Sequence, residues 1–435
     1  MKKKNNKINN NSNNKYKFIS VILAVALIFL SGAFFLFWKE VQNTSYDVYY
    51  RVPENKSFVY GSITEQYGFE DYIEEKIERE KSNLISEKRS FIDVNLEEME
   101  ISLYEEGEKI KTFPAVSKGR EGSWWETPPG FYFVGDTIAT HFSSVAQVWM
   151  PYAIQFYGNF FIHGWPYDYM GRGLPAGPSG GCIRMNTADA KQVFLFAERG
   201  MPVLVFNKKE TPFLPAITIS DEDYQFSEQV SAENFMIADI ETGEIILNKD
   251  KNAEINAEPL VKPMLAVVFS ETVNLERRIT AKDWMIEGVN DGVIFPNSSY
   301  TGSQLLEKML TTSSKEPLLV LTRFLTPDYF KEIVNAKAES VGMENTFFDD
   351  IFDFSEENIT TPVDVAKAMR YAYQYRGFVF DKSSTFKGAV EDGKESLFTV
   401  LKIEKEGRER AILFVIAESD DADGDLKKMK SWIGI

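Results

Sequence analysis

Cysteine and histidine are nearly missing: in 435 residues there is one cysteine, Cys182, and there are two histidines, His141 and His163. A single cysteine excludes an intrachain disulfide and a zinc site built from several thiolates. Excess positive charge is missing as well. The formal net charge is −17, and because the first 17 residues hold six lysines and no acid, the remainder carries −23. A surface this acidic argues against nucleic-acid binding, which is driven by contacts to phosphates. Internal repeats are absent, and low complexity is confined to an Asn- and Lys-rich tail at residues 1–17.

What is present is an ordinary globular balance, 44% hydrophobic and 26% charged, over a length that suits two or three domains. One long apolar run stands out. Phe18 to Trp38 is 21 uncharged residues, with lysines crowded on its N-terminal side. As a helix it would span about 31 Å, enough to cross a bilayer core. The positive-inside rule puts the lysine end in the cytoplasm and the rest of the chain outside. A cleaved signal peptide is the competing reading, but the run continues through Phe34, Phe35, Leu36, Phe37 and Trp38 without a clear small-residue cleavage site. The expectation is a retained single-pass transmembrane anchor at 18–38.

Residues 39–87 read as a polar linker or stalk, with an exposed helix over the charge-dense Glu70 to Ser82. From about Arg89 the pattern becomes short alternating runs, such as Phe91 to Asn95, Met99 to Tyr104 and Lys109 to Phe113, with Glu106-Gly107 as a turn. Further apolar runs lie at 131–134, 153–156, 160–162 and 203–206. A helix is expected over Ala188 to Arg199, before Gly200. Thr211 to Pro215 reads as a linker. Beyond it the rhythm is α+β: a hairpin at Asn234 to Leu247, helices at 260–270, 302–312, 329–341 and 361–375, and strands at 398–404 and 411–417.

The chemistry concentrates in Phe161 to Asn186, where His163 and Cys182 stand 19 positions apart. A thiol is a strong nucleophile when an imidazole withdraws its proton. Gly177, Gly180 and Gly181 surround the cysteine, and glycine lets the backbone turn sharply and aim N–H groups at a developing oxyanion. Arg184 would share a strand face with Cys182, to bind a substrate carboxylate or steady the active loop. A buried, inert cysteine is the bland alternative. For His141 a packing or surface role is favoured, and Trp124, Trp125, Trp149 and Trp165 suit either a groove or ordinary packing.

This segment resembles the signature of the YkuD-type L,D-transpeptidase catalytic domain. His163 is followed by 15 residues and then Ser179-Gly180-Gly181-Cys182-Ile183-Arg184. Thr127-Pro128-Pro129-Gly130 and Met150-Pro151-Tyr152 resemble that family's upstream elements, and the likeness covers residues 88–208. It implies a mainly-β domain with Cys182 as nucleophile and His163 as base and acid. It further implies Gly164 as the carbonyl that orients His163, Gly180 and Gly181 as oxyanion donors, and Arg184, Ser179 and Tyr152 as substrate contacts. No metal or cofactor is implied. The family usually has a second histidine where this chain has Gly180.

Residues 215–435 bear a weaker resemblance to serine-type D-alanyl-D-alanine carboxypeptidases, the penicillin-binding, β-lactamase-like α+β fold. It rests on Ile237 to Leu247, Gly342 to Phe348 and Thr361 to Ala366. The nucleophile is missing: Ser-x-x-Lys is here Pro259-Leu260-Val261-Lys262, and proline has no hydroxyl. Ser-x-Asn reads Ser313-Ser314-Lys315, and Phe386-Lys387-Gly388 is the nearest remnant of Lys-Thr-Gly. The expectation is a degenerate domain kept for binding wall peptide or a cell-wall protein partner.

Together these resemblances imply a carbapenem-sensitive enzyme outside the cytoplasmic membrane that makes 3→3 cross-links between peptidoglycan stem peptides. Two alternatives stay open: an L,D-carboxypeptidase on the same cysteine, and a non-enzymatic wall-binding scaffold.

Overall fold

Runs of β-branched and aromatic residues make the chain after Arg89 a sheet builder. The computed structural model describes residue 69 and residues 72–144, 146–209, 229–349, 357–389, 393–405 and 407–434. The tail at 1–17, the anchor at 18–38, most of the stalk segment and the Thr211–Pro215 linker lie outside the described residues. Among the described residues no helix is long and apolar enough to cross a membrane.

Helix α1 spans Tyr72–Ser86. The strands that follow are β1 (Phe91–Asn95), β2 (Glu100–Glu105), β3 (Glu108–Pro114), β4 (Gly130–Phe133), β5 (Thr137–Ser143), β6 (Val148–Tyr157), β7 (Phe160–His163) and β8 (Ile183–Arg184). Helix α2 (Thr187–Phe196) and β9 (Pro202–Phe206) complete the first domain. One sheet has the order β3-β2-β1-β9-β4 and the other β5-β6-β7-β8. The apolar β1 and β9 pair in parallel at the centre of the first sheet, while the exposed β3, carrying Lys109 and Lys111, guards its edge.

Helix α1 corrects the stalk reading. Tyr72, Ile73, Ile77 and Leu84 are buried on one stripe against β4 and β9. The charge-dense sequence covers the opposite face, so the helix belongs to the domain that follows it.

The second domain opens with β10 (Asn234–Asp239) and β11 (Ile245–Lys249), turned at Gly243, whose φ is +83°. β12 (Ile255–Asn256) leads into α3 (Glu258–Thr272), which is buried along almost its whole length. Then follow β13 (Arg278–Thr280), β14 (Ser299–Thr301), α4 (Gly302–Thr311), α5 (Glu316–Leu325), α6 (Pro327–Ser340), β15 (Ile359–Thr360), α7 (Pro362–Tyr375) and α8 (Phe378–Lys382). β16 (Thr385–Ala389), β17 (Glu395–Lys405), β18 (Arg408–Ser419) and α9 (Ala422–Trp432) end the chain. The large sheet is antiparallel with order β11-β10-β18-β17-β16, and α3, α7 and α9 pack against it.

The two domains share one hydrophobic core. Tyr132, Phe156 and Tyr157 of the first lie in the same buried cluster as Phe330, Ile333 and Val334 of the second. A polar knot sits within this contact. The Glu271 carboxylate is 3.1 Å from Lys337 Nζ and 2.8 Å from Arg376 Nη2, and all three side chains are fully buried. Tyr371 Oη donates to Glu271 at 2.6 Å, Lys337 donates to Tyr132 Oη at 3.2 Å, and Arg376 donates to the Glu126 carbonyl at 3.0 Å. The described residues of both domains accordingly belong to a single compact unit.

Candidate active site

β8 begins one residue after Cys182 and pairs in parallel with β7, which sets His163 opposite Arg184 and Ile162 opposite Ile183. Both isoleucines are buried on one face. Alternation turns Cys182, Arg184 and His163 to the other face, where all three line one cavity of about 330 Å³.

The turn before Cys182 requires particular residues. Gly181 has φ +104°, and a Cβ there would stand 2.2 Å from the Phe160 ring. Only glycine fits. Its carbonyl accepts from Thr127 Oγ1 at 2.7 Å, and that oxygen accepts from the Gly119 N–H at 2.9 Å. Thr127, read in the sequence only as part of an upstream strand motif, is the clamp on this turn. Gly180 differs: a Cβ there meets nothing within 4 Å.

Three assignments change in detail. Ser179 is buried; its hydroxyl donates to the Cys182 carbonyl and accepts from the Gly181 N–H at 3.0 Å. That oxygen builds the turn, although the residue also lines the cavity. The Gly181 N–H is engaged in the same contact and is not presented to an oxyanion. Tyr152 does not line the cavity. It has φ +55°, and its ring packs 5.6 Å from Phe194 of α2 and lies beneath Lys191. Within the Met-Pro-Tyr motif only Met150 lines the cavity, while the Pro151 carbonyl accepts from the Gly164 N–H at 2.8 Å and Tyr152 is turned away.

His163 is 2% exposed, and its Nδ1 lies 2.6 Å from the Gly164 carbonyl. A carbonyl only accepts, so Nδ1 carries the proton and Nε2 is left as a lone-pair base. Burial pushes the imidazole down to about 4, against the help of that hydrogen bond. Burial pushes the Cys182 thiol up to about 11, against the pull of Arg184 and a backbone hydrogen bond from Phe161. At neutral pH the resting pair is therefore thiol and neutral imidazole. The thiol donates to the Asn159 carbonyl at 3.6 Å, in the β6–β7 turn. Arg184 Nη1 donates to the carbonyls of Gly177 at 3.3 Å and Pro178 at 3.5 Å, and its guanidinium lies 5.8 Å from the Trp165 ring centre. It steadies the loop before the nucleophile.

His141 stacks on Phe161, 4.8 Å between ring centres, and faces the cavity, as do Trp124 and Trp125. No local pattern in the sequence marks the opposite wall. It comes from the second domain: residues 270–274 and Glu276, at the end of α3 and just beyond, line the same cavity. The Asn159 side-chain amide donates to the Thr272 carbonyl, one of the acceptors that the end of a helix leaves free.

The other end of α3 carries the position expected for a serine nucleophile. Pro259 stands there, inside the first turn. Lys262 Nζ donates to the Thr312 carbonyl at 2.9 Å, Ser314 Oγ accepts from the Glu316 N–H at 3.1 Å, and Lys387 pairs with Asp423 at 2.6 Å. The Glu258 side chain lies against Gly388, where a Cβ would meet its carboxylate at 2.7 Å. Among the described residues no group of acids, histidines or cysteines is arranged to hold a metal ion.

Residues 89–205 match the L,D-transpeptidase catalytic domain. Residues 220–394 match the D-alanyl-D-alanine carboxypeptidase family. Both are families that act on peptidoglycan of the bacterial cell wall. A D-alanyl-D-alanine carboxypeptidase of Mycobacterium tuberculosis is 28% identical over 118 residues, 26% of this chain and 40% of that protein. The chain thus spans well under half the length of this curated relative. Among solved structures, a D-alanyl-D-alanine carboxypeptidase of M. tuberculosis superposes with a TM-score of 0.40 at 16% identity, covering 52% of this chain and 95% of that one. An L,D-transpeptidase of Stackebrandtia nassauensis gives a TM-score of 0.24 at 21% identity, covering 31% and 68% respectively.

Proposed function

We propose that the protein is a cysteine-dependent L,D-transpeptidase that forms 3→3 cross-links between peptidoglycan stem peptides. The observation that carries this reading is the opening of Cys182 and His163 onto one cavity, with Nδ1 tied to the Gly164 carbonyl so that Nε2 is free to take a proton. Cys182 Sγ attacks the carbonyl that joins the L-centre of the diamino acid to the terminal D-Ala. Nε2 takes the thiol proton as the C–S bond forms. The N–H groups of Gly180 and Cys182 stabilise the oxyanion, a role the engaged Gly181 N–H does not share. The imidazolium returns its proton to the departing D-Ala amine. The acceptor amine of a second stem then attacks the thioester, His163 removes its excess proton, and the thiol is regenerated.

The second domain, in this reading, has no hydrolytic chemistry of its own, since Pro259 offers no hydroxyl. The run at 18–38 anchors the chain with both domains outside the cytoplasmic membrane, where stem peptides and a cell-wall partner are accessible. Carbapenems, which acylate thiols of this class, would label Cys182. Incubation with disaccharide-tetrapeptide followed by mass spectrometry tests the reading. A cross-linked dimer with loss of D-Ala supports it. Tripeptide alone points to a carboxypeptidase with water as acceptor, and unchanged substrate to a scaffold.

A further inference from the structure

The cavity around Cys182 is built by two domains, and their charges are divided unequally. On the first-domain side the lining includes Arg184 and both histidines but no carboxylate. Among the described residues the acids on the wall are Glu271 and Glu276, both from the second domain. Glu271 is turned into the interface and held by Lys337, Arg376 and Tyr371. Glu276 is exposed, and among the described residues no side chain pairs with its carboxylate. Its place is fixed by the backbone: Asn274 Oδ1 accepts the Glu276 N–H at 2.9 Å. The neighbouring cations are directed elsewhere. Arg277 lies 5.0 Å from the Phe324 ring centre and Arg278 donates to the Ser299 carbonyl at 3.3 Å.

An acyl acceptor reaches a thioester as an amine that is an ammonium ion in water. Bringing it into a cleft lined by tryptophan and phenylalanine costs desolvation unless a counter-charge meets it. The first domain supplies none. We propose that Glu276, positioned by Asn274, is the second domain's contribution to catalysis: a subsite for the ammonium group of the acyl acceptor, across the cavity from Cys182. This rests on the acyl-transfer reading above. It gives the second domain a role as a wall of the other domain's active site, with no need of a nucleophile in its own. The contact between Asn159 and the Thr272 carbonyl fixes that wall against the turn whose backbone holds the thiol.

The test uses the full chain in detergent with disaccharide-tetrapeptide as donor, and a stem peptide lacking the terminal D-Ala as acceptor over a range of concentrations. Intact mass reports the Cys182 thioester and product analysis reports dimer and tripeptide. In Glu276→Gln the dimer formed per acyl-enzyme is expected to fall, with KM for the acceptor rising about ten- to a hundredfold and hydrolysis to tripeptide taking its place. Glu276→Lys is expected to be worse, and Asn274→Ala intermediate. An unchanged acceptor KM in Glu276→Gln overturns the subsite. So does a loss confined to acyl-enzyme formation, which would make Glu276 a donor contact. Absence of any acyl-enzyme in the wild type is a different failure: it removes the acyl-transfer reading, and the subsite with it. Glu276 is exposed, so its two variants fold as wild type does, and a melting curve within about 1 °C of wild type checks this.

Discussion

Replacing Glu271 with Gln should destabilise the protein far more than replacing Lys337 with Met, although the two side chains are partners. Glu271 is the one carboxylate between two cations, and all three groups are fully buried. Its loss leaves Lys337 and Arg376 facing each other without compensation, a situation that costs about 3–5 kcal/mol. For a compact unit of this size that is a fall in Tm of roughly 4–6 °C. Lys337→Met instead leaves Glu271 paired with Arg376 at 2.8 Å and with Tyr371 at 2.6 Å. The lysine itself is held unfavourably. Burial pushes its amine down from 10.5 to about 8, against the pull of Glu271. Keeping it charged below pH 8 therefore costs roughly 3 kcal/mol. The sign follows from proton binding: between about pH 8 and 10.5 the unfolded chain holds this proton and the folded chain releases it, so folding stability rises with pH across that window. Wild type should gain stability between pH 8 and 9.5 and Lys337→Met should lack that gain, with a Tm at pH 7 equal to or above wild type. Calorimetry at pH 7, 8, 9 and 9.5 measures all three proteins. A Glu271→Gln variant that melts within 1 °C of wild type, or a Lys337→Met variant that loses more than it, would contradict this assignment of the buried charges.

Four further outcomes follow from the site and from the second domain. Because burial pushes the Cys182 thiol up to about 11, its alkylation by iodoacetamide should rise about tenfold per pH unit from pH 7 to 9; a plateau already at pH 7 would reveal a preformed thiolate–imidazolium pair. Gly181→Ala, which forces a Cβ within 2.2 Å of the Phe160 ring at φ +104°, should lower both stability and acylation by carbapenem at least tenfold. Gly180→Ala meets no atom within 4 Å and should keep a wild-type Tm or gain up to about 1 kcal/mol; equal damage from the two variants would contradict the assigned turn. Labelled penicillin should leave no stable adduct on residues 215–435, and a peptide from this region carrying the label would show that a group other than position 259 serves as its nucleophile.

Much of the first domain was legible because its strands alternate and its motif residues are glycines, prolines and a lone cysteine, whose backbone demands are local. The strand at Thr137–Ser143 escaped notice because it is a polar edge strand with little buried surface to impose a pattern. The helix expected to reach Arg199 ends at Phe196, and its backbone turns extended at Ala197, three residues before the glycine expected to stop it. In the second domain, α5 was missed because Glu316–Leu325 is largely buried and reads as a short apolar run of undecided period. In the charge-dense Glu70 to Ser82 the density of charge hides the Tyr72, Ile73 and Ile77 stripe. Contacts between distant segments left no local mark. Nothing near Glu271, Thr272 or Glu276 announces an active-site wall, and a proline-rich linker between two family-like segments suggests separate modules, whereas Tyr132 and Ile333 lie in one core. Tyr152 shows the converse limit, since membership in a motif did not tell which face of the strand its ring would take.

Intact mass of the full chain, mixed with disaccharide-tetrapeptide and quenched in acid within a turnover, tests directly whether acyl transfer passes through the sulfur of Cys182. A thioester adduct equal to the substrate less D-Ala, mapped to the peptide containing Cys182 and absent from Cys182→Ala, is the expected result. Product formation in Cys182→Ala, or an acyl group mapped to any other residue, would contradict it.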